Sequence, residues 1–189
     1  MSQLTVLVAS TRPGRVGRRI GDWFTARAVR HAGFDDVRLV DLAEIDLPFH
    51  DEPHHPSEGR YLHQHTRNWS AIVSEADAFV FVMPEYNYDF SAPLKNAIDY
   101  LYSEWQYKPV GFVSYGMTSG GLRAVQMIKQ VVTTLKMLPL NEAVTIFLRE
   151  SLDRNGALVR TDALDAAADT MLDELCRVSS AMADLRVPA

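Results

Sequence analysis

Short apolar, β-branched runs alternate along the chain with stretches whose apolar residues recur every three or four positions. Residues 4–9 read as a short buried strand with a turn signal behind it. Residues 37–42 read as a second, more exposed strand. Residues 78–83 form the most apolar run and therefore the central strand, ended by Pro84, and 109–114 and 143–148 read as the fourth and fifth strands. Between them Val16, Ile20, Phe24 and Ala28 fall at helical spacing, with Gly33 as the stop. Ser91 reads as an N-cap with Pro93 in the first turn, ahead of the stripe Leu94, Ile98 and Leu101. Leu122, Val125, Ile128, Val132 and Leu135 mark another helix, and Leu164, Ala168, Met171, Leu175 and Met182 the last.

Strands alternating with helices predict an α/β fold: a doubly wound, five-stranded parallel sheet in three layers, with right-handed crossovers. Such a sheet binds its ligand beyond the C-terminal ends of the strands, where strand order reverses. Three segments occupy those ends: 10–18, 83–91 and 115–121.

Composition narrows the picture. The 189 residues suit one domain over residues 1–189, and no repeat or linker divides them. No apolar run approaches the ~20 residues that cross a bilayer. The chain enters its first strand at once, without a basic leader, and Cys176 is the sole cysteine, so no intrachain disulfide can form. A cytoplasmic protein is expected, with no membrane association. The net charge of −5 speaks against a nucleic-acid partner. Against that acidic background Arg12, Arg15, Arg18 and Arg19 crowd into one short stretch without an acid among them.

That stretch, with Ser10, Thr11, Gly14, Val16 and Gly17, lies between a strand and a helix. Free backbone N–H groups and the positive end of a helix dipole meet there, a natural place for an anion. It has neither the glycine pattern of a dinucleotide fingerprint nor that of a nucleoside-triphosphate loop, and its hydroxyls suit a terminal phosphate monoester. The second segment, with Pro84, Glu85, Tyr86, Asn87, Tyr88 and Phe90, offers aromatic surface and backbone polar groups to a flat heteroaromatic ring. Glu85 itself reads as a ligand of backbone or of a neighbouring subunit. The third, with Tyr115, Gly116, Ser119, Gly120 and Gly121, is small enough for a bulky ligand to lie against its backbone.

Together these segments resemble the NADPH-dependent FMN reductase family, whose fold is flavodoxin-like. Ser10 to Arg15 is similar to that family's phosphate loop, Pro84 to Asn87 followed by Pro93 to Asp99 to its flavin loop and helix, and Lys108 to Ala124 to its third ligand loop. The resemblance implies FMN as cofactor, NAD(P)H as electron donor, and a homodimer or a dimer of dimers. It implies that Ser10, Arg12, Arg15, Val16, Gly17 and Arg18 hold the phosphate. Pro84, Glu85, Tyr86 and Asn87 would hold the ring, with Tyr115, Gly116 and Ser119 nearby. Arg15 stands where relatives often carry serine. The implied reaction passes hydride from NAD(P)H through FMN to a quinone, an azo compound, free flavin or a metal ion. The cofactor carries the chemistry, so no catalytic side chain is expected. The rival readings are a flavodoxin-like electron carrier without reductase activity, disfavoured by the arginine-rich loop, and a flavin-free sensor of a phosphate ligand.

Five of six histidines lie between His50 and His65, among Asp51, Glu52 and Glu58. Their spacing matches no metal motif well, and Pro53 and Pro56 make the stretch a loop. Residues 47–62 are expected to rim the flavin pocket or a subunit interface, and Trp23, Trp69 and Trp105 to pack rather than relay electrons.

Overall fold

A computed structural model of the chain describes residues 1–186. Five strands, β1 (Gln3–Val8), β2 (Asp36–Asp41), β3 (Ala78–Pro84), β4 (Pro109–Gly116) and β5 (Leu138–Phe147), form one parallel sheet in the order β2-β1-β3-β4-β5. The seven α-helices among the described residues are α1 (Gly17–His31), α2 (Leu42–Ile45), α3 (Gln64–Glu75), α4 (Ala92–Asp99), α5 (Leu122–Thr134), α6 (Leu148–Ser151) and α7 (Asp162–Ala181). The architecture is the expected flavodoxin-like one.

The continuous apolar run of β3 has a direct cause. A parallel strand in mid-sheet is covered on both faces, so it has no solvent side to mark with polar residues. Phe79, Phe81 and Met83 pack with Trp69, Leu94, Trp105 and Ile128 on one face. Ala78, Val80 and Val82 pack with Ile20, Phe24, Met171 and Leu175 on the other. All three tryptophans are buried.

Three elements depart from the pattern-based reading. β5 starts at Leu138 rather than at residue 143. Pro139 and Asn141 hide its beginning, and an edge strand tolerates proline because half its backbone pairs with nothing. The pairing absorbs them through a register shift between Val110 and Phe112. Helix α3 was unforeseen: of its residues only Thr66, Trp69 and Val73 are buried, too few apolar side chains for a visible stripe. Helix α1 stops at Ala32, in the left-handed region at φ 56°, one residue before the expected glycine.

The segments following β1, β3 and β4 gather at one edge of the sheet. Ser91 sits at the N-cap position of α4, but its hydroxyl caps nothing. It donates to the carbonyl of Ala9 at 3.0 Å, tying the loop after β3 to the loop after β1 where strand order reverses.

Candidate functional site

The loop after β1 brings a buried hydroxyl, a tight turn and an open helix start together. Ser10 is fully buried, with its hydroxyl 2.8 Å from that of Tyr86. A turn closed by Arg15 N–H donating to the Arg12 carbonyl at 3.1 Å carries the chain past Gly14, at φ +72°, to the start of α1. That helix has no side-chain cap and no acid in its first turn, so its leading N–H groups are open to a negative ligand.

Beneath this helix end lies the Tyr115 side chain. The sequence reading grouped Tyr115 with the ring segments, yet its hydroxyl reaches Gly17, where it fills the space a Cβ would take. The hydroxyl, beside that of Ser10, is buried without a hydrogen bond of normal geometry, and Nε of Arg15 is buried without a partner. Burial raises the Tyr115 phenol above its ordinary value. A buried donor without an acceptor costs about 1–3 kcal/mol. Two of them beside an uncapped helix fit a group rich in acceptor oxygens, which is what the phosphate of FMN is.

The arginines divide by environment. Arg12 is exposed and makes no ion pair among the described residues. The NH2 nitrogen of Arg15 donates to Asp41 at 2.7 Å. Arg18 is held by Asp22 at 3.0 Å, Glu44 at 2.5 Å and Asp41 at 3.4 Å. Arg19 turns away to the carbonyls of Asn155 and Gly156. So the guanidinium of Arg18, expected among the phosphate contacts, is engaged by three carboxylates. Of Arg18, then, only the backbone is left to face an anion at the helix end, as it is for the half-buried Val16.

The second and third segments are joined into one surface. Glu85 N–H donates to the Tyr115 carbonyl at 2.9 Å, prolonging the pairing of β3 with β4. The Glu85 carboxylate accepts from the Ser119 hydroxyl, from Arg123 N–H at 3.2 Å and from the Arg123 guanidinium at 3.0 Å. Burial pushes the Glu85 carboxyl up, but those hydrogen bonds outweigh it and leave it below its ordinary value. Glu85 and Ser119 therefore brace two loops, with their side chains turned on each other. Tyr86 and Asp89 exchange both backbone hydrogen bonds across Asn87 and Tyr88. Both central residues have positive φ, 52° and 75°, as a type I′ turn requires. An aromatic residue there is strained, and such strain concentrates at functional sites. The turn holds the Tyr88 ring out in solvent, with the Arg123 guanidinium 4.1 Å from its centre. Gly116 closes the bed: a Cβ on it would come within 3.1 Å of Gly121 N.

A cleft of about 390 Å³ opens beside the loop after β1, between Thr11, Ala43, Leu47, Phe49 and Pro93. Leu47 and Phe49, from the stretch expected to rim the flavin pocket or a subunit interface, line this cleft with Thr11 of the loop after β1. The histidines lie further along. His65 pairs with Asp51 at 3.0 Å, and its ring stacks on that of His63 with centroids 5.2 Å apart. No group of three or more side chains with metal-binding geometry occurs among the described residues.

Asp41 escaped the sequence reading, and Arg123 entered it only as part of the third loop, without a role of its own. Asp41 carried a signal, an acid ending a strand beside the predicted switch point. The pairing of Arg123 with Glu85 carried none, because the two are distant in sequence.

With the geometry in place, comparison with known proteins decides the family. A model of the NADPH-dependent FMN reductase family matches residues 2–148. The chain belongs to the NADPH-dependent FMN reductase family. It is an oxidoreductase with FMN as cofactor and NAD(P)H as electron donor. An NAD(P)H-dependent FMN reductase of Schizosaccharomyces pombe is 41% identical over 137 residues, covering 71% of this chain and 68% of that protein. A quinone reductase of Pseudomonas putida is 30% identical over 146 residues, covering 72% and 74%. In fold the chain resembles the flavoenzyme NAD(P)H:acceptor oxidoreductase FerB of Paracoccus denitrificans. The TM-score is 0.75, at 17% identity, with 96% of this chain and 99% of that one covered.

Proposed function

We propose that this FMN reductase passes two electrons from NAD(P)H to a small quinone, with the flavin seated across the loops after β1, β3 and β4. The observation that carries the seating is the pair of buried, unpartnered donors, Tyr115 Oη and Arg15 Nε, beside the uncapped start of α1. They support a phosphate at that end, with Ser10, Arg12 and the N–H groups of residues 16–18. The ring then lies on Pro84, Tyr86, Asn87 and Gly116, whose loops Glu85 and Ser119 brace.

Bound FMN supplies the two-electron redox chemistry between donor and acceptor. The protein binds, orients and shields. Tyr86 and Tyr88 offer apolar surface to a second flat molecule, which suits a shared face for nicotinamide and quinone taken in turn. The names of the Pseudomonas putida relative and of a rice protein, a probable NADPH:quinone oxidoreductase 33% identical over 110 residues, favour a quinone among the possible acceptors. Exposed Tyr88, Met117 and Leu122 around this face suit a subunit contact, and a homodimer in the cytoplasm is the assembly we favour.

The test is direct. Purified protein is expected to be yellow, to bleach under NAD(P)H without oxygen and to recolour when a quinone is added. A protein that stays colourless after incubation with FMN would overturn the reading, and one that bleaches but transfers nothing to quinones would overturn the acceptor.

A further inference from the structure

Asp41 ends β2, and its side chain is only 1% exposed. A carboxylate so deeply buried needs donors on both oxygens. Oδ1 accepts from Ala43 N–H at 3.0 Å, capping α2. Oδ2 accepts from Arg15 at 2.7 Å and from Arg18 at 3.4 Å. Arg18 is shared with Asp22 and Glu44, whereas Asp41 is the one carboxylate that Arg15 meets among the described residues.

Arginine–carboxylate pairs are frequently two-pronged, with parallel N–H···O bonds. This one leaves Arg15 half used: one terminal nitrogen is fixed by Asp41, while Nε is buried with no acceptor. The guanidinium is planar and rigid, so fixing one nitrogen against an immobile carboxylate sets the plane and the direction of the others. The Tyr115 hydroxyl, at the start of the same helix, is buried and unpartnered as well.

We propose that Asp41 is a positioning residue for the flavin phosphate: it pins one edge of Arg15 so that Nε is held ready for a phosphate oxygen. Asp41 does not touch the ligand and acts through Arg15. This rests on the phosphate seat proposed above. It gives Arg15 the role that backbone alone would otherwise fill, and it ties phosphate recognition to the end of β2.

Riboflavin carries the same ring without the phosphate, so it separates phosphate recognition from general damage. FMN and riboflavin are titrated by fluorescence quenching into flavin-free wild-type protein, Asp41→Asn, Arg15→Gln and the double variant. Asparagine keeps an oxygen for Ala43 N–H. The expected result is an FMN Kd raised about tenfold in Asp41→Asn, ~1.4 kcal/mol, with riboflavin affinity unchanged and the double variant no weaker than Arg15→Gln alone. Equal losses for both flavins, additive losses in the double variant, or tighter FMN binding by Asp41→Asn would each overturn it. Should Asp41→Asn fail to fold, Arg15→Lys decides, since lysine keeps the charge and the pairing but lacks Nε–H. Its FMN affinity is expected to fall alone, and unchanged FMN affinity would overturn the proposal. Wild-type protein that binds FMN no better than riboflavin would instead bring down the phosphate seat itself.

Discussion

Gly17 shows how tightly single residues determine the start of α1. A methyl group there would collide with the Tyr115 hydroxyl and come within 3.3 Å of its ring carbon Cζ. On helix propensity alone, alanine at an exposed position would gain about 1 kcal/mol over glycine. At this buried position overpacking outweighs that, at roughly 1–3 kcal/mol. Gly17→Ala is therefore expected to lower Tm, and adding Tyr115→Phe to restore most of the loss. Thermal melts of the two single variants and the double check it, and strictly additive effects would show that the two side chains do not meet. The same reasoning explains why Tyr115 was misplaced from sequence. Its backbone belongs to the ring segments, but the alternation of β4 turns its side chain to the face carrying α1.

At the scale of elements, the last turn of α3 depends on Lys108. A helix C-terminus leaves carbonyls unpaired, and Lys108 Nζ donates to those of Val73 at 2.7 Å and Ser74 at 3.0 Å. The residue is buried, and burial pushes its pKa down to about 8, against the partial support of Asp77. An unfolded lysine titrates near ~10.4. Between those values the unfolded chain holds more protons than the folded one, so this group makes unfolding harder as pH rises through the window. Wild-type stability measured against Lys108→Met is expected to grow by about 2 kcal/mol from pH 8 to pH 10. Urea titrations at several pH values test this, and a gap that shrinks over the same range would mean the charged form is favoured by folding. Helix α3 and its lysine partner were both invisible in the pattern: the helix shows too few apolar positions, and Lys108 precedes an apolar strand like any solvated lysine.

For the whole molecule, the two apolar clusters sit on opposite faces of the same strands. Leu7, Phe81 and Phe112 belong to one, Val8, Val82 and Val113 to the other. Neither face can open without exposing the strands that hold the other. Unfolding of the flavin-free protein is therefore expected as one calorimetric transition, with calorimetric and van't Hoff enthalpies equal. FMN at a hundred times its Kd adds about 2.7 kcal/mol, which raises Tm by roughly 5–10 °C. Two separated transitions would show that the layers melt independently.

The sequence by itself determined the layer architecture, the three loops at the C-terminal edge of the sheet and the basic, hydroxyl-bearing character of the first. These follow from periodicity, turn chemistry and the placement of ligands at strand ends, all of which are local or topological. Only the tertiary structure decided which way the side chains in those loops face. Arg18 is drawn off by Asp22, Glu44 and Asp41, Glu85 is bound to Ser119 and Arg123, and Tyr115 lies under α1. A charged group settles on the nearest opposite charge in space, and several of those partners lie more than twenty residues away along the chain, where spacing carries no information.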